Sequence, residues 1–131
     1  MKGMVFAGCS FTWGEGLHLY SDVCDISYTK NQNFNIHNIK LGNNEPLVLI
    51  AGPCQIESLD HTLETAHSIK ETCDSLGIKF IYKSSFDKAN RSSVSTKRGV
   101  GISEGLEILN MVKHSLGVPI LTDIHETWQA K

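Results

Sequence analysis

A short polar run, residues 83–93, carries the residue types in this chain that are best suited to chemistry. Within eleven residues it contains three cationic side chains, four serine hydroxyls and one asparagine amide, directly after the apolar stretch Phe80-Ile81-Tyr82. Lysine offers a compact ammonium, and arginine offers a planar guanidinium that binds phosphate through two parallel hydrogen bonds. Hydroxyls and the amide add neutral donors. The run therefore suits a phosphorylated, hydroxyl-rich small molecule, although its composition fits a solvated polar loop about equally well.

Further polar side chains stand where short apolar runs end. Cys54, Lys83 and Asp123 each end or closely follow such a run. In parallel barrels the working residues lie at the carboxyl ends of strands, so these three are expected at one rim. Asp123 and His125 are two residues apart and point to the same side, where a carboxylate and an imidazole can orient a sugar hydroxyl or transfer a proton. Taken alone, Lys83 also fits a stem that covers apolar surface, and Cys54 fits buried packing.

The elements that must position these residues alternate between strands and helices. From residue 45 onward, apolar runs and three- to four-residue apolar spacing predict two helices between three strands, at 47–51, 78–83 and 118–123. Ser58 and Ser103 are predicted to cap the helices. Gly77 and Gly117 are predicted to end them. Alternation of this kind implies parallel strands with right-handed crossovers, but it does not separate an open doubly wound sheet from a barrel.

The order of residues in the polar run resembles a known family. Lys-Ser-Ser-Phe-Asp-Lys-Ala-Asn-Arg-Ser-Ser is similar to the characteristic segment of the KDO-8-phosphate synthases, in the DAHP synthetase I/KDO-8-P synthase family. Companion segments follow in the family's order, at 49–54 with Glu57-Ser58, at Arg98-Gly99 and at 121–126. The resemblance covers about residues 45–130. It implies an α/β fold in which residues 45–131 form the N-terminal portion, about three βα units, of an aldolase-type TIM (β/α)8 barrel.

The resemblance also implies an activity and a set of substrate contacts. Members of that family are cytoplasmic transferases that condense phosphoenolpyruvate with arabinose 5-phosphate and release inorganic phosphate, in lipopolysaccharide biosynthesis. By resemblance, Lys83 and Lys88 hold phosphoenolpyruvate. Asn90, Arg91 and Ser92 match the family residues that bind the pentose phosphate.

Other roles carried over from the family concern catalysis and a metal. Asp123 and His125 are the expected catalytic pair that lines the site. Arg98 is expected as a further anion contact, with a solvated surface position as the alternative. Cys54 stands where metal-dependent members have cysteine, which implies a divalent metal (Zn, Fe, Mn or Co) with its other ligands further along the chain than Lys131.

The beginning of the chain is foreign to this resemblance. Residues 1–33 form an N-terminal extension in which Gly8–Thr12 resembles the first block of the SGNH hydrolases, with Ser10 as the serine that a strand would deliver into a turn. Cys9 replaces the usual aspartate, and the later Asp-x-x-His block that would activate the serine is not found. Residues 34–44, rich in asparagine, are expected to form a linker or a small hairpin that closes the bottom of the barrel.

The composition of the chain limits the kinds of partner that it can bind. With 131 residues, 40% apolar residues and a net charge of −2, the chain has the size of one domain and no broad basic field, which argues against nucleic acid as a partner. No apolar run approaches the ~20 residues that span a bilayer. The four cysteines show neither Cys-x-x-Cys spacing nor a disulfide pattern, so reduced thiols in the cytoplasm are expected, with Cys73 buried on a helix.

The length of the chain is the feature that departs most from the family it resembles. A closed barrel takes ~250 residues, so the chain is expected to be a truncated front portion of the enzyme that is inactive alone, and a homo-oligomer (a tetramer) only if complete. Two alternatives stay open. One is the related synthase that joins phosphoenolpyruvate to erythrose 4-phosphate, and the other is a non-catalytic fusion of an SGNH-like leader to half a barrel.

Overall fold

The computed structural model describes residues 4–7, 33–42, 44–88 and 99–130. In chain order the elements are strands β1 (Met4–Ala7), β2 (Phe34–Ile36), β3 (Ile39–Leu41) and β4 (Val48–Ala51), helix α1 (Leu59–Leu76), strand β5 (Lys79–Lys83), helix α2 (Ile102–Leu116), strand β6 (Ile120–Leu121) and a short 3-10 helix (Thr127–Ala130). Neither α1 nor α2 is long and apolar enough to cross a membrane, and the same holds for the 3-10 helix.

Four strands form one parallel sheet in the order β1-β4-β5-β6. Strands β2 and β3 form a separate antiparallel hairpin. The alternation of strands and helices therefore produces the parallel sheet that the sequence predicts. The described strands form an open sheet and not a closed barrel, so the α/β class with parallel strands is the part of the fold prediction that the structure confirms.

Helix α1 begins and ends where the sequence predicts. The Ser58 hydroxyl accepts a hydrogen bond from the His61 N–H at 3.3 Å, as an N-cap side chain does. Gly77 follows the last helical residue in the left-handed conformation, and its N–H donates to the Asp74 carbonyl at 3.2 Å.

The predicted cap of the second helix is wrong. Helix α2 begins at Ile102 and is preceded by Gly101, so Ser103 lies within the first helical turn. Gly101 has φ 85°, a backbone conformation that residues with a side chain rarely adopt. The chain therefore enters the helix through a glycine turn, and no side chain caps it. The predicted end at Gly117 is confirmed.

The third barrel-type strand is shorter than predicted. Strand β6 contains two residues in place of the predicted run 118–123. Pro119 has no N–H to give to a ladder, although its carbonyl accepts a hydrogen bond from the Tyr82 N–H at 2.9 Å. Asp123 consequently lies two residues beyond the strand, in irregular backbone.

Alternate residues of the sheet pack into two separate clusters. One face, which we call the helix-covered face, carries Phe80 and Tyr82 against apolar residues of both helices, including Ala66, Leu109 and Val112. Cys73 is buried in this cluster, as predicted. The opposite, hairpin-covered face carries Val48, Ile50 and Ile81 against Ile39 and Leu41 of the hairpin. Lys83, the next residue of β5 on that face, lies outside this cluster at the carboxyl end of the strand.

Candidate active site

The residues predicted to do chemistry follow the carboxyl ends of neighbouring parallel strands. Lys83 is the last residue of β5, Asp123 follows β6, and Cys54 follows β4. Since the three strands are parallel and adjacent, these ends meet at one edge of the sheet. The structure therefore places all three residues at the same edge.

Lys83 and Asp123 form an ion pair there. The Lys83 Nζ lies 3.4 Å from Asp123 Oδ1, and the two side chains are 33% and 40% exposed. The same ammonium donates a hydrogen bond to the Ser85 hydroxyl at 2.9 Å. Oδ1 is buried and has no partner of good hydrogen-bond geometry among the described residues.

The carboxyl of Asp123 is held in its ionised form. Partial burial acts to raise its pKa, but the Ser85 hydroxyl and the Lys83 charge outweigh burial, and the net pKa lies below the usual value. A folded-state pKa below the unfolded value stabilises the folded chain above the unfolded pKa, and this contribution is lost as the pH falls through the folded pKa. At neutral pH the group is a carboxylate.

His125 lies beside this pair, as the two-residue spacing predicts. Its Nε2 atom is 3.9 Å from Asp123 Oδ2 and 3.2 Å from the Asp87 carbonyl oxygen. Because a carbonyl only accepts hydrogen bonds, the contact with Asp87 requires the hydrogen on Nε2, which leaves the lone pair of a neutral ring on Nδ1. The ring of Phe86 meets the imidazole edge-on, with centroids 6.2 Å apart.

Gln129, in the 3-10 helix, also contacts this segment. Its Oε1 atom accepts hydrogen bonds from the backbone N–H groups of His125 at 2.7 Å and of Glu126 at 3.0 Å. Sequence reasoning missed this residue. The signal was present, since a glutamine at the third helical position is half of a capping box that reaches back to the N-cap backbone.

Cys54 and Lys88 form a second contact at the same edge. The Lys88 ammonium donates to the Cys54 sulfur. Cys54 is exposed, so the alternative of a buried packing cysteine is wrong. Within the ranges that the structure describes, no three His, Cys, Asp or Glu side chains are grouped closely enough to hold a metal ion. Among the described residues, Cys54 therefore offers a single sulfur ligand and not a complete metal site.

Two serines of the polar run are buried and make hydrogen bonds within the protein. Ser84 and Ser85 are fully buried. The Ser84 hydroxyl donates to the Pro53 carbonyl at 2.8 Å, and the Ser85 carbonyl accepts from the Ile56 N–H at 2.9 Å. These bonds tie the loop after β5 to the loop after β4. Both serines are therefore enclosed by the protein, and the Ser85 hydroxyl contacts the Lys83 ammonium.

Close backbone packing fixes the position of Lys83. A Cβ atom on Gly52 would lie 2.0 Å from the Lys83 carbonyl oxygen, far inside van der Waals contact. Only glycine therefore lets the loop after β4 pass this close to the end of β5. A similar contact holds the next part of the loop, because Phe86 is buried against Gly105 of α2, where a Cβ atom would lie 2.4 Å from the Phe86 Cβ.

Several predicted residues lie outside the described ranges. They are the candidates for pentose phosphate and anion binding and the serine of the N-terminal block: Asn90, Arg91, Ser92, Arg98 and Ser10. The structure thus brings together Lys83, Asp123 and His125, and it pairs Lys88 with Cys54.

Most of the chain is similar in sequence to known proteins. Residues 25–131 match the model of the DAHP synthetase I family. The chain is 62% identical over 85 residues to a 2-dehydro-3-deoxyphosphooctonate aldolase of Legionella pneumophila (strain Corby), covering 65% of this chain and 31% of that protein. It is 60% identical over 86 residues to the protein of that name from Hydrogenovibrio crunogenus, covering 66% of this chain and 31% of the relative. The chain spans about a third of the length of the curated relatives it matches.

Proposed function

Because the chain belongs to the DAHP synthetase I family, we propose that it carries part of the substrate site of a 2-dehydro-3-deoxyphosphooctonate aldolase. The proposed reaction joins phosphoenolpyruvate, arabinose 5-phosphate and water to give KDO 8-phosphate and inorganic phosphate. Residues 45–131 would form the first βα units of a (β/α)8 barrel in that enzyme. The observation that supports the proposal most strongly is the group of Lys83, Asp123 and His125 at the carboxyl edge of the parallel sheet.

Lys83 is proposed to bind the carboxylate or phosphate of phosphoenolpyruvate. Its ammonium has three N–H donors, and the contacts with Ser85 and Asp123 account for two of them. The remaining donor and the 33% exposure of the side chain allow an anion to approach. A charge-assisted hydrogen bond of this kind contributes about 1.5–3 kcal/mol. Lys88, at the same edge, supplies a second cation in this proposal.

Asp123 and His125 are proposed to orient a sugar hydroxyl and to transfer a proton. The carboxylate of Asp123 can accept a hydrogen bond from a sugar hydroxyl or from the attacking water. His125, with its hydrogen on Nε2, presents Nδ1 as a proton acceptor. Asn90, Arg91, Ser92 and Arg98 are proposed to hold the pentose phosphate.

Cys54 is the one described residue that is proposed to bind a divalent metal. In metal-dependent enzymes such an ion polarises a carbonyl or orients a water molecule. The exposed sulfur lies at the same edge of the sheet as Lys83 and Asp123. One ligand does not make a site, and none of the proposed roles of Asp123 and His125 depends on a metal. Family-like association into a homo-oligomer is likewise part of the proposal for the whole enzyme.

Binding of phosphoenolpyruvate to the chain tests the proposal, with two lysines of one strand as a matched pair. Lys83 ends β5 at the site, whereas Lys79 begins the same strand at the opposite edge. Lys83→Met is expected to weaken binding about tenfold or more, since it removes a charged hydrogen bond, and Lys79→Met is expected to leave affinity unchanged. Isothermal titration calorimetry measures both. Equal affinities for the two variants would contradict the assignment of Lys83.

The choice of sugar phosphate separates the proposed enzyme from its relative. Arabinose 5-phosphate is expected to bind the chain more tightly than erythrose 4-phosphate in the same titration. The reverse order would favour the erythrose 4-phosphate synthase, and binding of neither sugar would favour the non-catalytic fusion.

A further inference from the structure

His125 lies in a part of the chain that the sheet does not hold. Strand β6 ends at Leu121, and residues 122–126 have irregular backbone before the 3-10 helix begins at Thr127. No ladder hydrogen bond therefore fixes the backbone of His125. Its ring nevertheless contacts residues from a different loop, since Asp87 and Phe86 follow β5. The orientation of the ring depends on whatever holds its backbone.

Gln129 supplies that restraint. Its side-chain oxygen accepts from two successive backbone N–H groups, those of His125 and Glu126. Its own N–H donates to the Glu126 carbonyl at 3.0 Å, so the segment is closed by bonds in both directions. A carbonyl oxygen has two lone pairs, and both are used here with good distances. Any side chain without an acceptor at this position would leave both N–H groups without this partner.

The ring of His125 is fixed at its other end. Nε2 donates to the Asp87 carbonyl, and the imidazole side chain is 24% exposed. The backbone anchor and the ring anchor come from separate segments, the 3-10 helix and the loop after β5. With both anchors in place, Nε2–H meets the Asp87 carbonyl and Nε2 lies 3.9 Å from the Asp123 carboxylate.

We propose that Gln129 is a positioning residue that holds His125 in one tautomer beside Asp123. Gln129 acts through the backbone and does not itself meet the substrate. This inference deepens the proposed function, because it concerns the residue to which that proposal assigns proton transfer. It predicts that any side chain with a hydrogen-bond acceptor at position 129 keeps the His125 imidazole in the Nε2–H tautomer.

Three variants test this role without any substrate. Gln129→Leu keeps the shape but removes the acceptor, Gln129→Glu keeps an oxygen acceptor, and Glu126→Gln changes a neighbouring side chain while keeping its backbone N–H. Nitrogen NMR of the His125 ring distinguishes Nε2–H from Nδ1–H. Amide hydrogen exchange reports on the backbone of His125 and Glu126.

In Gln129→Leu we expect the ring signal to change from one Nε2–H tautomer to a mixture. The His125 and Glu126 amides should also exchange about tenfold faster, because each loses a neutral hydrogen bond. Gln129→Glu should restore the single tautomer, and Glu126→Gln should match the natural chain.

A single Nε2–H tautomer in Gln129→Leu would overturn the proposal, since Gln129 would then only cap the 3-10 helix. Failure of Gln129→Glu to restore the tautomer would overturn it as well. If the tautomer responds as expected but no variant or natural chain binds phosphoenolpyruvate, the proposed function fails and the positioning role stands.

Discussion

The two faces of the parallel sheet are covered in different ways. On the helix-covered face, Phe80 and Tyr82 are buried in one cluster with residues of both helices. On the hairpin-covered face, Ile50 and Ile81 are buried against the hairpin, but beyond them Lys83 is partly exposed. The alternate residues of β5 therefore have different roles. One set of alternate residues stabilises the fold, and the other set leaves the core at the carboxyl edge and becomes available for chemistry.

The largest expected loss of stability comes from shortening a buried side chain on the helix-covered face. Leu109 is fully buried, so Leu109→Ala should lower the free energy of unfolding by about 2–5 kcal/mol. Leu121, at the end of β6, is 42% exposed, and Leu121→Ala should cost less than about 1 kcal/mol. Urea denaturation monitored by circular dichroism measures both. Similar losses for the two variants would show that the buried Leu109 contributes no more to stability than the partly exposed Leu121.

A smaller loss of stability is expected at Gly52, where the loop after β4 passes the carboxyl end of β5. Gly52→Ala places a methyl group against the Lys83 carbonyl, so strands β4 and β5 must separate at their carboxyl ends. The strain should cost about 1–3 kcal/mol of unfolding free energy. Because Lys83 moves with its backbone, affinity for phosphoenolpyruvate should fall as well. Gly117→Ala is a useful control, since a Cβ atom there meets nothing within 4 Å and its cost comes only from the positive φ. A stable Gly52→Ala variant with full affinity would contradict the close contact.

The smallest effect is expected at the hydroxyl of Tyr82. This atom is buried and has no partner of good geometry among the described residues, so Tyr82→Phe should change stability at neutral pH by less than about 1 kcal/mol. Burial raises the pKa of Tyr82 to about 12, while the hydroxyls of Ser84 and Thr62 act in the opposite direction. An unfolded tyrosine ionises near pH ~10. Stability should therefore be constant below that pH and fall as the pH rises toward 12, because the unfolded chain loses its proton first.

Thermal unfolding followed between pH 8 and pH 11.5 checks this expectation. The natural chain should lose stability in the alkaline part of the range, and Tyr82→Phe should lose less. Identical pH profiles would mean that the phenol is not buried.

The sequence predicts the scaffold well because its signals are local. Apolar periodicity, the Ser58 cap and the glycines after both helices each act within a few residues, and all are found in the structure. The common edge for Lys83 and Asp123 follows from the parallel order of strands, which alternation of elements implies. These predictions require no knowledge of contacts between distant side chains.

Predictions that depend on such contacts are the ones that fail or are missing. The cap at Ser103 is wrong because Gly101 takes a backbone conformation that serine patterns do not reveal. The inward turn of Ser84 depends on the Pro53 carbonyl, thirty-one residues earlier. Gln129 is an exception, because its capping signal is local. The parallel pairing of β1 with β4 also joins segments that the sequence gives no reason to pair.

A titration of phosphoenolpyruvate into the chain, with the side-chain signals of Lys83, Asp123 and His125 followed by NMR, tests the central claim most directly. The three residues are predicted to shift together with one saturation curve, while Lys79 at the opposite edge stays unchanged. Shifts that are absent, or that appear at Lys79 and not at Lys83, would contradict a binding site at the carboxyl edge of the sheet.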